Sequence, residues 1–135
     1  MMLFSSVDDF VERYTEAKLT LYGGPPSPDY VQILSVGSAA QRGRNYEHPG
    51  MWAFSALWFM QDVLRELHAR TPDERNFIAW CLARLADLSW HAASKHPHCP
   101  YSRSFLYESG NNIVRRLDQE LIDILAERGL ISRPQ

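Results

Sequence analysis

The sequence predicts an all-α protein, a compact bundle of about five helices with no sheet. Apolar residues recur at spacings of three and four along most of the chain, which is the period of a helix with one buried face. Residues that cap helices stand at the ends of these segments. No stretch alternates apolar and polar residues as a half-exposed strand does. A length of 135 residues is typical of one domain, so residues 1–135 are expected to form a single helical domain.

The first helix is predicted over residues 7–22 and the second over 28–40. Ser6 is a suitable N-cap for the first helix, and the Gly-Gly-Pro-Pro run that follows ends it. A Ser-Pro pair then favours the start of the second helix. Residues 41–50 are polar and contain two glycines and a proline, so they are predicted to be a loop.

The remaining helices are predicted over residues 51–69, 72–94 and 102–128. Thr71, a proline and Glu74 have the spacing of a capping box with proline at the first helical position. Ser102 is the expected cap of the last helix, and Gly110 is the one point where that helix could be interrupted. Gly129 is expected to end it in the left-handed conformation.

The third predicted helix carries more apolar surface than one buried stripe requires. Its core stripe is predicted to be Trp52, Ala56, Phe59, Met60, Val63 and Leu67. Phe54 and Trp58 lie nearly opposite, in line with Gln61 and Arg65, and Trp80 lies off the stripe of the next helix. Either these helices are central and contact neighbours on several sides, or aromatic residues among Phe54, Trp58 and Trp80 anchor a partner, as tryptophan often does.

Three of the five histidines and one of the two cysteines lie in "SWHAASKHPHCPYSR", residues 89–103. Imidazole and thiolate are good zinc ligands, so His91, His96, His98 and Cys99 are the candidate metal ligands. Their spacing lacks a second distant pair, and the alternative is a polar turn in which His91 complements a helix C-terminus. Cys99 as a nucleophile would need His98 as its base.

Composition narrows the function classes. The net charge is −2, which argues against general nucleic-acid binding. The start of the chain lacks the pattern of a signal peptide, and the most apolar run, residues 51–60, is about half the length that spans a bilayer. We therefore expect a cytoplasmic protein with no membrane segment, whose two cysteines are thiols.

The stretch "NNIVRRLDQELIDILAERGLISR", residues 111–133, resembles the end of winged-helix regulators of the multiple-antibiotic-resistance type. That resemblance implies a transcription regulator in which Arg115 and Arg116 face DNA. The preceding segment lacks helix-turn-helix spacing, and an amphipathic helix capped at Gly129 explains the same residues.

Residues 48–91, "HPGMWAFSALWFMQDVLRELHARTPDERNFIAWCLARLADLSWH", resemble the helical-pair core of small bacterial immunity proteins that neutralise type VI secretion toxins. Pro49-Gly50, Val63-Leu64 and the "ARTPDER" turn occupy the matching places. The resemblance implies a non-enzymatic helical inhibitor that binds a partner protein and needs no cofactor.

The leading functional hypothesis is therefore an immunity or antagonist protein, from a bacterium or phage, that sterically blocks a toxin or enzyme. A homodimer is a further possibility, since spare aromatic surface suits a two-fold interface. The alternatives are a zinc-binding protein or enzyme and a transcription regulator. The predicted partner-binding residues are Trp52, Phe54, Trp58, Arg65 and Trp80, with Arg42, Arg44 and Tyr46 at the rim.

Overall fold

The computed structural model describes residues 3–22 and 51–131, and at positions 21, 22 and 51–54 it describes the backbone only. Every regular element in these ranges is helical, and the all-α prediction is confirmed. The helices are α1 (Val7–Tyr22), α2 (Met51–Arg70), α3 (Glu74–Trp80), α4 (Trp90–Ser94) and α5 (Arg103–Glu127), with a π-helical segment at Cys81–Leu85. The predicted helix over 28–40 and the predicted loop over 41–50 lie outside the described residues.

The helix boundaries follow local capping chemistry. The hydroxyl of Ser6 accepts a hydrogen bond from the backbone N–H of Asp9 at 3.1 Å, and the hydroxyl of Ser102 accepts one from Phe105 at 3.3 Å. Gly129 has a φ of 71°, which favours glycine. These three predicted caps are confirmed. They were predictable because each cap depends only on neighbouring residues.

The predicted capping box at Thr71 is wrong. The hydroxyl of Thr71 donates instead to the carbonyl of Leu67, at the end of α2, at 2.7 Å. Asp73 caps α3 by accepting from the backbone N–H of Arg75 at 3.0 Å. The Arg75 guanidinium also bonds the Asp73 carboxylate, and these hydrogen bonds hold the pKa of Asp73 below its usual range.

The prediction of a single helix over 72–94 is also wrong, because this part of the chain forms two α-helices, α3 and α4, with a break between them. Ala86 N–H donates to the Cys81 carbonyl at 3.0 Å, a bond from i+5 to i. Asp87 then takes a left-handed φ of 54°. Asp tolerates that conformation better than most residues. Ser89 caps α4, so the chain turns before Trp90.

One large core joins α1, α2 and α5, with α3 packed against it. Its members include Phe10, Tyr14, Met60, Phe77 and Leu121, all fully buried. The two ends of the described chain meet there, because Phe4 N–H donates to the Leu130 carbonyl at 2.7 Å. A smaller cluster joins α3, the π-helical segment, α4 and α5, and consists of Ala79, Leu82, Ala93 and Leu106.

Gly110 does not interrupt α5; it forms a notch for a tryptophan ring. A Cβ placed on Gly110 would lie 2.6 Å from Cζ2 and 2.7 Å from Cε2 of Trp90. The indole is held in place because its Nε1–H donates to Asn111 Oδ1 at 3.2 Å. Gly110 is therefore required for the close approach of α4 to α5.

The variant Gly110→Ala is expected to lower the free energy of unfolding by about 1–3 kcal/mol through overpacking, even though alanine favours a helix by about 1 kcal/mol. Urea denaturation measures the change. In a Trp90→Ala background the same substitution should become neutral or stabilising, because the clash is gone. A Gly110→Ala protein more stable than the wild type would contradict the notch.

Candidate functional site

Trp58 stands on the outer face of α2 and is 40% exposed. The guanidinium carbon of Arg65, two turns further along the helix, lies 5.9 Å from the centre of the Trp58 ring. That distance is within the range of a cation–π contact. We call this pair the Trp58 face. Both residues are among those predicted to bind a partner, and binding of a partner there remains a prediction.

The helix beneath the Trp58 face is firmly anchored. Leu57, Met60, Leu64 and Leu67 of α2 are fully buried against α1 and α5. Gln61, which was predicted to share the Trp58 face, is fully buried as well. The buried arc of α2 is thus wider than the predicted stripe, and it holds Trp58 on a rigid support.

Trp80 is not a partner anchor, and that prediction is wrong. Its side chain is 0% exposed in the core, and its indole Nε1–H donates to Asp118 Oδ1 at 2.8 Å. Arg84 Nε donates to the same oxygen at 3.3 Å. Asp118 thus fixes the side chains of Trp80 and Arg84 to α5.

The other predicted partner-binding residues fall where side chains are not described. Trp52 and Phe54 belong to the first turn of α2, of which the backbone alone is described. Arg42, Arg44 and Tyr46 lie outside the described residues.

The histidine and cysteine side chains of residues 91–99 do not converge on one point. His98 N–H donates to His96 Nδ1 at 3.1 Å, whereas His91 Nδ1 lies 3.4 Å from Arg103 Nη1. The Cys99 thiol donates to the Tyr101 carbonyl at 3.3 Å. Within residues 3–22 and 51–131, no three His, Cys, Asp or Glu side chains are grouped so as to hold a metal ion.

The second cysteine, Cys81, has no access to solvent. It is fully buried in the core, and burial raises its pKa far above the usual range. A thiol in such surroundings is inert toward nucleophilic chemistry. Cys81 is therefore a core residue.

Arg115 and Arg116 lie in the middle of α5, which runs without a break from Arg103 to Glu127. A winged-helix reader would instead need a turn between its recognition helix and the helix that follows. In this part of the chain the structure describes one continuous helix whose buried stripe includes Ile113, Leu117 and Leu121.

Sequence reasoning missed a groove between α1 and the segment 83–87. Its volume is about 790 Å³. Val11 of α1 and Leu85 of the π-helical segment contribute apolar surface, and Leu19 lines it while 48% exposed. Carboxylates line both walls, with Asp8, Glu12 and Glu16 on α1 and Asp87 opposite, and Arg84 lines the same wall as Asp87. We call this the α1 groove. Its walls are about seventy positions apart in sequence, so periodicity alone could not bring them together.

A second groove, of about 570 Å³, lies beside the start of α5. Tyr101 and Phe105 stack in it with ring centres 4.2 Å apart. The Arg75 guanidinium carbon lies 5.4 Å from the Tyr101 ring centre, and Tyr101 Oη donates to Asn76 Oδ1 at 2.6 Å. All of these contacts are made within the protein, and those of Tyr101 with Arg75 and Asn76 hold the 95–102 turn to α3.

No helix in the described part of the chain combines the length and the apolar character needed to cross a bilayer. Comparisons of the chain with protein-family models, with curated proteins and with solved structures found no match.

Proposed function

We propose that this protein is a non-enzymatic, cytoplasmic binding protein that acts as an immunity protein or antagonist of another protein through the Trp58 face. The observation that carries the proposal is the exposure of Trp58 with Arg65 at its ring. Tryptophan and arginine are, with tyrosine, the residues enriched among interface hot spots. The likeness of residues 48–91 to immunity proteins supports the same class.

The mechanism is steric. A rigid helical face covers the active cleft of a toxin or enzyme, and no covalent bond is made or broken. The buried residues beneath Trp58 keep the face in one shape before binding, which lowers the entropy lost on association. The indole enters an apolar pocket of the partner, and Arg65 bonds polar groups at its edge.

The variant Trp58→Ala tests this role. Its melting temperature should stay close to that of the wild type, since the change is at the surface. Its affinity for the partner should fall about 30-fold or more, the effect of removing a hot-spot side chain. Calorimetric titration against the partner recovered from the native cell, starting with the product of the adjacent gene, measures the affinity.

Tyr107→Ala is the matched control. Tyr107 is 60% exposed on α5, so its removal also takes an aromatic ring from the surface. We expect this variant to bind as the wild type does and to suppress the partner's activity equally. The proposal is wrong if Trp58→Ala also binds and suppresses normally, or if it unfolds.

A further inference from the structure

The α1 groove combines apolar residues with four carboxylates and the guanidinium of Arg84. Asp8 is paired, since Arg84 Nη2 lies 2.9 Å from its Oδ1. Glu12, Glu16 and Asp87 form no ion pair with any described residue. Arg84 also lines the groove and bonds Asp118 outside it, so the groove keeps a net negative charge, most of it on α1.

Asp8 stabilises α1, since it lies in the first turn and pairs with Arg84, but Glu12 and Glu16 have no such role. Asp8, Glu12 and Glu16 follow one another at intervals of four on α1, a spacing at which like charges repel. Asp87 holds a left-handed backbone conformation, which costs free energy for any residue other than glycine. Neither feature serves the packing of α1 against the core, which uses Phe10, Tyr14 and other residues of the opposite face.

The apolar component defines what could lie in the groove. In its floor, Val11 is partly buried and Leu85 is almost fully buried. Leu19 is exposed towards one end. From residue 8 to residue 19, α1 rises about 16 Å, close to three turns of a helix. The groove thus suits an elongated segment that has apolar side chains on one face and cations at its margins.

We propose that the α1 groove docks a basic amphipathic helix of another protein, with its apolar side chains on Val11, Leu85 and Leu19 and its Lys or Arg residues beside Glu12, Glu16 and Asp87. Charge complementarity selects this occupant. The same carboxylates repel nucleic-acid phosphates and anionic lipid headgroups. This surface lies on other elements than the Trp58 face and goes beyond the function proposed above.

The test is a fluorescence-anisotropy titration with a labelled 14-residue peptide of leucine and lysine arranged as an amphipathic helix. A peptide of the same composition in scrambled order is the ligand control. We expect saturable binding of the amphipathic peptide that weakens as salt is raised. The scrambled peptide should bind at least tenfold more weakly, because it cannot present one apolar face.

Single variants Glu12→Gln and Glu16→Gln should each weaken binding about threefold, and the double variant about tenfold, as expected for exposed ion pairs. Both side chains are exposed, so the fold should persist, and circular dichroism checks it. Glu108→Gln, at an exposed position of α5, removes one equal charge elsewhere and should leave binding unchanged. Leu19→Ala should weaken binding without altering its salt dependence.

Trp58→Ala should bind this peptide as the wild type does, so failure of the Trp58 proposal and failure of this one are distinguishable. Three results would overturn the proposal: no saturable binding, equal binding of the scrambled peptide, or equal losses in Glu16→Gln and Glu108→Gln. The last two would show attraction to the overall charge of the protein and not to the groove.

Discussion

Replacing Trp80 by alanine is expected to lower the free energy of unfolding by about 3–5 kcal/mol, the range for deleting a buried aromatic side chain. Trp80 is fully buried and its ring centre lies 6.3 Å from that of Phe77. The substitution leaves a cavity and removes the indole donor from Asp118. Because a domain of this size is stabilised by only about 5–15 kcal/mol, this variant should be close to unfolding at 37 °C.

Urea denaturation followed by circular dichroism measures this loss. Trp58→Ala is its natural control, since it deletes the same side chain from the surface of α2 and should change stability by less than about 1 kcal/mol. Asp118→Asn measures the contribution of the charge facing Arg84 by itself, because the amide oxygen can still accept from the indole. Equal stabilities of the Trp80 and Trp58 variants would contradict the positions that the structure gives them.

Replacing Lys18 by methionine is expected to stabilise the protein at pH 7 by about 2–3 kcal/mol. Lys18 is 5% exposed on α1, and burial lowers its pKa from 10.5 to about 8. Each unit of pKa difference corresponds to about 1.4 kcal/mol. Its ammonium lies 5.8 Å from the Tyr14 ring centre, which offsets part of that cost.

The pH dependence gives the sharper test. Between pH 8 and 10.5 the unfolded chain holds the Lys18 proton and the folded chain does not, so the wild type gains stability as the pH rises through this window. The burial cost is fully present below pH 8. The advantage of Lys18→Met should therefore shrink to below about 1 kcal/mol by pH 10.5.

Stability curves of the wild type and Lys18→Met, recorded across pH 7–10.5, measure this difference. Titration of Cys81 acts in the opposite direction, because burial raises its pKa, but it is common to both proteins and cancels. Lys95→Met, at an exposed position, should show no such dependence. A constant difference between wild type and Lys18→Met would mean that Lys18 keeps its ordinary pKa.

The class of the fold and several helix ends could be predicted because they depend on short-range chemistry. A cap such as Ser102 or Gly129 needs only the residues beside it. The break after Leu85 could not be predicted in this way, since residues 81–88 contain neither glycine nor proline. Packing of Trp80 and Trp90 against α5 accompanies that break, and such contacts routinely override helix propensity.

The candidate site was predictable only in part, for a related reason. Periodicity placed Trp58 and Trp80 alike off their stripes, and how far each is buried depends on the rest of the fold. Asp118 reaches Trp80 from α5, whereas Trp58 stays on the surface. The α1 groove could not be predicted from the sequence, because its two walls are distant in sequence. A sequence pattern can identify one residue of a contact, but identifying its partner requires the three-dimensional structure.

The hydrogen bond between Phe4 and Leu130 joins opposite ends of the described chain. During synthesis, α1 and α2 leave the ribosome before Leu130 has been added to the chain. The hydrogen bond of Phe4 therefore cannot form until Leu130 has been synthesised. A contact between residues so far apart in sequence forms late in folding, because its loop-closure entropy has to be lost before the contact is gained. The N-terminal segment should therefore be among the last parts of the nascent protein to become resistant to proteases.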